Sequence, residues 1–308
     1  MVVRGAPAIG VTAAYGVVLA ARQCLTEHGL SWHVSFAQML DELRQARPTA
    51  INLAWAIDQM QLFLNTLPEN ATTSSIEPAL ISTAMALHQA DIAINQTMGD
   101  LGASLLTADT RVITHCNAGA LATAGYGTAL GVIRSAHRDN RLREVFACET
   151  RPWLQGARLT AWELSEDHIP VTLIADHAAA QLMARSDIAG ENIGWVITGA
   201  DRVAANGDVA NKIGTYSLAL AARAHGVGMM VVAPTSTIDL ETSSGRDIPI
   251  EERHGDELLC VQGMRIAPSG VGALNPVFDI TPAGLIDVLV TEKGVIKHPN
   301  EKQISALF

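Results

Sequence analysis

The sequence predicts an α/β protein in which a helical N-terminal domain, residues 1–106, packs on a parallel-sheet C-terminal domain, residues 107–308. Apolar residues recur at helical spacing through the first hundred positions. Near residue 110 the pattern changes, and short β-branched runs begin to alternate with Ala-rich helical stretches, as βαβ units do. No internal repeat, low-complexity tract or disordered linker separates the two parts, so a broad shared interface is expected. With 308 residues, 48% of them hydrophobic, the chain has ample material for a core.

After the turn-like Arg4-Gly5-Ala6-Pro7, helices are expected over about 8–28, 34–45, 50–66 and 75–106, with breaks at Gly29, Pro48 and Pro68. The apolar run 8–21 is stopped by Arg22 and Gln23, short of the roughly 20 residues a bilayer requires, and predicts a buried helix. In the second half, strands are expected at 111–115, 144–148, 171–175, 195–198 and 229–233. Helices between them are expected over about 119–137, 156–166, 177–185 and 211–224.

Composition excludes several classes of function. A net charge of −10 leaves no broad basic surface for nucleic acid or anionic lipid, so any bound anion must be held locally. The four cysteines, Cys24, Cys116, Cys148 and Cys260, form no CxxC pair and show no zinc spacing, which fits a reducing cytoplasm. The first residues lack the basic stretch, apolar run and cleavage site of a signal peptide.

In open parallel sheets, ligands bind beyond the carboxyl ends of the strands. Here those ends are polar: Thr114-His115-Cys116-Asn117-Ala118-Gly119, Cys148-Glu149-Thr150-Arg151-Pro152, Asp176-His177, Gly199-Ala200-Asp201-Arg202 and Pro234-Thr235-Ser236-Thr237. Cys116 leaves an apolar strand at a Gly-containing turn into a helix, whose N-terminus can stabilise a thiolate. The bland alternative is a small buried hydrophobe, the reading preferred for Cys148. Asp201 closes an apolar strand, where burial would raise its pKa and suit it to proton donation. Its alternatives are a helix cap or an ion pair with Arg202. Asn211 and Lys212 follow the Asn206-Gly207-Asp208 turn and are expected at the start of a helix, able to hold a hydroxyl or phosphate. Arg4-Gly5-Ala6-Pro7-Ala8-Ile9-Gly10 has the makings of an anion-cradling loop, and Arg47 is a second cationic candidate. His115, next to Cys116 in a strand, is expected on the opposite side of the sheet and is not cast as a base.

With these residues in view, the sequence resembles the methylthioribose-1-phosphate isomerase family over essentially its whole length. The likeness rests on the strings 3–10, 114–119, 149–152, 155–160, 199–202, 206–208 and 211–212. It implies a Rossmann-like C-terminal domain, a homodimer, neither metal nor organic cofactor, and conversion of 5-methylthioribose 1-phosphate to 5-methylthioribulose 1-phosphate in methionine salvage. Cys116 and Asp201 match the family's catalytic pair. Arg4, Gly5, Ala6, Arg47, Gln155, Asn211 and Lys212 match its substrate-binding positions. Members carry a further segment ahead of the Arg4 loop, and adding one is expected to raise stability or affinity by moving that loop away from a chain end. The same superfamily holds ribose-1,5-bisphosphate isomerases and regulatory subunits of the exchange factor for translation initiation factor 2. A bisphosphate substrate would need a second anion site near C5, whereas a methylthio group would need an apolar wall, with Trp153 a candidate.

Overall fold

The structure, a computed structural model, describes residues 3–47, 51–68, 72–189 and 193–308. Four helices open the chain: α1 (Ala6–His28), α2 (His33–Gln45), α3 (Ile51–Leu64) and α4 (Thr73–Ala103). They follow the expected order and bounds within a few residues. The break expected at Pro48 and the expected helix start at 50 lie outside the described residues. Pro7 in its first turn suits the start of α1, and Gly29, at φ 53°, closes it.

At 23 residues, α1 continues past Arg22 and Gln23 to His28, the expected end of the helix. Among the described residues it is the one helix long and apolar enough to cross a bilayer. Its setting is a core. Ala14, Val17 and Ala21 are fully buried against Phe36 and Leu40 of α2, Leu53, Ile57 and Met60 of α3, and Ile76 and Leu80 of α4.

The rest of the chain is built on a seven-stranded sheet. Its strands are β1 (Thr110–Thr114), β2 (Leu142–Cys148), β3 (Val171–Ile174), β4 (Ile193–Thr198), β7 (Gly228–Val232), β12 (Val288–Thr291) and β13 (Gly294–Lys297). They lie in the order β13-β12-β7-β4-β1-β2-β3, all parallel except the edge hairpin of β12 and β13. All five expected strands are present; the hairpin is an addition. A second sheet, also not expected, is ordered β11-β6-β5-β8 from β5 (Arg202–Ala204), β6 (Val209–Lys212), β8 (Ile238–Asp239) and β11 (Phe278–Thr281). A small ribbon pairs β9 (Cys260–Val261) with β10 (Met264–Arg265).

Strand alternation feeds two cores, one on each face of the main sheet. Val112, Val145, Ile197 and Val232 meet Met98 of α4, Ile133 of α5 (Ala129–Arg138) and Leu164 of α6 (Ala161–Glu166). Ile113, Val196, Met229 and Val231 meet Met183 of α7 (Ala178–Ala189) and Leu218 of α8 (Thr215–Ala224). Helix α4 therefore belongs to two cores, with Ile76, Leu80 and Ala84 in the N-terminal bundle and Met98 and Ala103 against the sheet.

Three expected helices are modified. The helix expected over 119–137 is a 3-10 turn at Ala120–Ala122 followed by α5. Gly127, at φ 85°, folds the intervening loop back so closely that a Cβ there would lie 2.5 Å from the Gly119 Cα. The stretch 156–166 opens with a π turn, Gly156–Thr160, before α6. The stretch 211–224 becomes helical only at Thr215, because Asn211 and Lys212 are the last residues of β6.

Candidate active site

The order of the main sheet reverses between β1 and β4: β2 and β3 extend from one side of β1, while β4 and β7 lie on the other. Loops leaving such a pair of strands diverge and open a crevice. Cys116 leaves β1 and Asp201 leaves β4, so the two stand on either side of it. A cleft of about 690 Å³ lies there, and Arg4, Gly5, Ala6, Arg47, Cys116, Gln155, Asp201, Asn211 and Lys212 all border it. The structure thus brings together every site residue named from the sequence.

Cys116 has φ 63°, a left-handed conformation that ends the strand geometry of β1. Its backbone is held on both sides: the N–H donates to Thr150 Oγ1 at 2.8 Å, and the carbonyl accepts from Thr160 Oγ1 at 2.5 Å. Burial pushes its thiol up to about 11; the Lys212 ammonium opposes this, and the Asp201 carboxylate adds to it. The expected thiolate at a helix N-terminus is therefore corrected. No α-helix begins directly behind Cys116, and the resting group is a thiol. His115 does not simply face the other side of the sheet: β1 has already ended at Thr114, and the buried imidazole also borders the cleft. Its Nε2–H donates to the Ile213 carbonyl at 2.8 Å, and burial holds its pKa down.

Asp201 is raised by burial and held back by Lys212, Arg47 and Arg253. It caps no helix, since the chain continues directly into β5. The buried ion pair of Arg202 is with Asp239, at 3.1 Å. Lys212 is no surface charge. It is 5% exposed, its Nζ donates to the Val277 carbonyl at 3.0 Å, and it sits 4.4 Å from the centre of the Phe278 ring. Burial lowers its pKa, while Cys116 and Asp201 work in the other direction. Asn211, also buried, donates from Nδ2 to Thr215 Oγ1 at 3.1 Å. Both owe their place to the β5–β6 hairpin, closed by Asn206-Gly207 with Gly207 at φ 89°. Asp208 anchors that turn by accepting from the amides of Gly245 and Ala283.

The Arg4-Gly5-Ala6 loop presents the N-terminus of α1 to the cleft, with the Arg4 guanidinium 5.0 Å from the Trp153 ring centre. Gly5 is doubly constrained. Its φ is 96°, and a Cβ there would lie 2.6 Å from the Ala122 Cα. Gly5→Ala is therefore expected to raise KM by about tenfold or more, since strain of roughly 1–3 kcal/mol would displace the loop. Steady-state kinetics check this; an unchanged KM would show that the loop tolerates the shift.

Some cleft residues are not marked in the sequence. Arg253, which ends the charged stretch 245–253 whose role the sequence leaves open between a cleft loop and a solvated one, borders it, as does Glu257 beyond that stretch. Arg253 has an 11% exposed side chain and pairs with Glu251 at 2.8 Å, whereas Arg246 and Asp247 are exposed. No periodicity or motif distinguishes the inward Arg253 from its outward neighbours. As for metals, the ligand atoms of His115, Cys148 and Asp176 lie within 4.8 Å of one another. Both Asp176 oxygens already accept backbone amides, from Thr150 at 2.7 Å and Arg151 at 2.8 Å, and burial pushes the Cys148 thiol up to about 12. That donor set braces the turn after β2, and Cys148 is a core residue, as its sequence context predicts.

The profile of the Initiation factor 2 subunit family matches residues 2–298. The chain belongs to that family. Among similar proteins, the chain is 59% identical over 308 residues to a protein of Alkalilimnicola ehrlichii named methylthioribose-1-phosphate isomerase. The match covers 100% of this chain and 86% of that protein. A protein of Nitrosococcus oceani with the same name is 55% identical at the same coverage. Among solved structures, the 5-methylthioribose 1-phosphate isomerase of Pyrococcus horikoshii superposes with a TM-score of 0.89 at 42% identity, covering 100% of this chain and 84% of that one. The delta subunit of the translation initiation factor eIF-2B from A. fulgidus superposes at 0.83 and 39% identity, covering 99% and 87%. The helical bundle on a parallel-dominant sheet is thus the fold of this family, as the sequence predicts.

Proposed function

We propose that the chain isomerises 5-methylthioribose 1-phosphate to 5-methylthioribulose 1-phosphate, an aldose–ketose step of methionine salvage, with Asp201 and Cys116 as its proton-handling pair. One observation carries the reading: two half-buried acids, Cys116 and Asp201, border the same cleft as one buried ammonium, Lys212, whose charge acts on both, and Arg4 and Arg47 rim that cleft. As anions Cys116 and Asp201 would repel each other, which favours a single negative charge between them.

The anomeric phosphate locks the substrate as a ring. Asp201 gives its proton to the ring oxygen as the C1–O bond breaks. Hydrogen then moves from C2 to C1, either as a hydride while O2 loses its proton to Cys116, which acts in the minor thiolate form whose own proton has passed to Asp201, or through an enediol. One proton enters at the ring oxygen, one leaves O2, and no electron leaves the substrate, so the steps balance without metal or organic cofactor. The pair keeps its total charge throughout, with Lys212 offsetting it. Arg4, Arg47 and the amides of Gly5 and Ala6 hold the phosphate, while Gln155, Asn211 and Lys212 meet the sugar hydroxyls. Running the reaction in deuterated water separates the two routes: label at C1 of the product requires the enediol.

Leu121, Ala122, Trp153 and Leu159 give the cleft an apolar side that suits a methylthio group. Arg158 and Arg253, cations in excess of those assigned to one phosphate, favour ribose 1,5-bisphosphate as the second reading. A product assay offering both substrates side by side decides: turnover of the methylthio sugar alone is expected, and preference for the bisphosphate would overturn the assignment. A regulatory subunit without catalysis would turn over neither. The resemblance further supports a cytoplasmic homodimer, for which light scattering should give twice the chain mass.

A further inference from the structure

We infer that Glu163 is a positioning residue for this reaction, setting the turn that carries Cys116 without itself bordering the cleft. Its carboxyl is 3% exposed, a costly place for a charge unless donors surround it. Four do. Arg134 Nη2 donates at 2.9 Å, but the other three all come from one turn: Asn117 Nδ2 at 2.9 Å, the Ala120 amide at 2.7 Å and the Leu121 amide at 3.3 Å. Ala120 and Leu121 open the 3-10 turn that replaces the expected helix, and that turn has no capping side chain of its own. Glu163 supplies the missing acceptors from another element. The approach is tight, since a Cβ at Gly119 would collide with both carboxylate oxygens.

The consequence reaches the cleft from both directions along the chain. Asn117 directly follows Cys116, and Ala118, Leu121 and Ala122 line the cleft, with Gly5 resting on Ala122. Thr160, on the segment that leads into Glu163, donates to the Cys116 carbonyl and accepts from Asn117 Nδ2 at 3.2 Å. The stretch from Thr160 to Glu163 therefore grips the Cys116 turn at its carbonyl, its side-chain amide and two backbone amides. The proposal rests on the isomerase reading only for what the turn positions.

Two variants test it. Glu163→Gln removes the charge and replaces one acceptor with a donor, so the turn shifts; kcat is expected to fall by about tenfold to a hundredfold with KM within about threefold, the pattern of misplaced reacting groups. Arg134→Gln removes the ion pairs with Glu163 and Asp167 and the bond to the Tyr126 carbonyl but leaves all three bonds from Glu163 to the turn, and it should melt at least as low as Glu163→Gln while keeping kcat within about threefold. If kcat instead tracks melting temperature in both, Glu163 is structural and the inference fails. Should Glu163→Gln not fold, Thr160→Val, nearly isosteric, must reproduce the fall in kcat, and normal turnover there overturns the inference. A readout independent of the substrate is the iodoacetamide alkylation rate of Cys116 in the intact protein. It should change about fivefold or more in Glu163→Gln and stay at the parent rate in Arg134→Gln, because access to the thiol depends on the turn. A parent that turns over neither sugar would sink the isomerase reading and leave this alkylation contrast to decide the role of Glu163.

Discussion

Asp201→Asn is expected to lower kcat by about a thousandfold or more, within the range that a general acid contributes, while the protein melts no lower than the parent does. The amide keeps the shape of the side chain but has no proton to give the ring oxygen. Stability should hold because Arg202 keeps its buried partner Asp239. The sign of the pH effect agrees. Burial raises Asp201 above the usual carboxylate range. The stability such a group contributes is full below its unfolded pKa and lost as pH rises through the folded one, so the neutral amide removes a penalty present at neutral and alkaline pH. Activity requires the protonated form, and the parent should lose rate as pH climbs through the raised pKa. The variant's residual rate should lack that limb. Asp239→Asn is the contrast: it takes the charge from a buried partner of Arg202, at a cost of about 3 kcal/mol, and melts lower while still turning over. Near-normal turnover by Asp201→Asn would end the acid role. A further signature is chemical. The Asp201 carboxylate is one of the groups that raise the Cys116 thiol, so the amide should make Cys116 easier to alkylate.

Cys116→Ser is expected to abolish turnover, with kcat down by about a thousandfold or more and substrate binding retained, because a hydroxyl fills the same space but ionises far less readily. Activity within about threefold of the parent would remove Cys116 from the mechanism. In the free protein the thiol is pushed up to about 11, so alkylation should accelerate about tenfold per pH unit and level off only near that value. A plateau near neutrality would instead indicate a thiolate already formed in the resting protein.

The residues themselves explain how much could be read in advance. The five expected strands were legible from their short apolar, β-branched-rich runs; 111–115 and 229–233 are buried on both faces, while 171–174, at the sheet edge, is half exposed and is marked by composition alone. The hairpin at 288–297 and the small second sheet were not, since their strands of two to four residues carry little periodicity. Asn206-Gly207 did carry a hairpin signal, and taking it as a loop into a helix misplaced Asn211 and Lys212 by one element. The cleft residues were legible because most sit at the carboxyl ends of strands or in the Arg4 loop. Arg253 and Glu163 were not, because what each touches is decided by tertiary packing. The same holds for the Cys116 thiol: the loop folds back at Gly127 and deprives it of the helix its sequence implies.

Helix α4, with 31 residues and an extent of about 46 Å, makes the two halves of the molecule a single mechanical body. Its first turns are glued into the bundle and its last ones onto the sheet, so neither half can melt without fraying the rod they share. Chemical denaturation should therefore trace one sigmoid with a slope proportional to the whole chain's surface, and not two half-sized steps. A fragment cut near residue 107 would leave the apolar face over α5 open to water, which makes it prone to self-association. Engineering that seeks to graft a new cleft onto this scaffold must carry α4 along with the sheet.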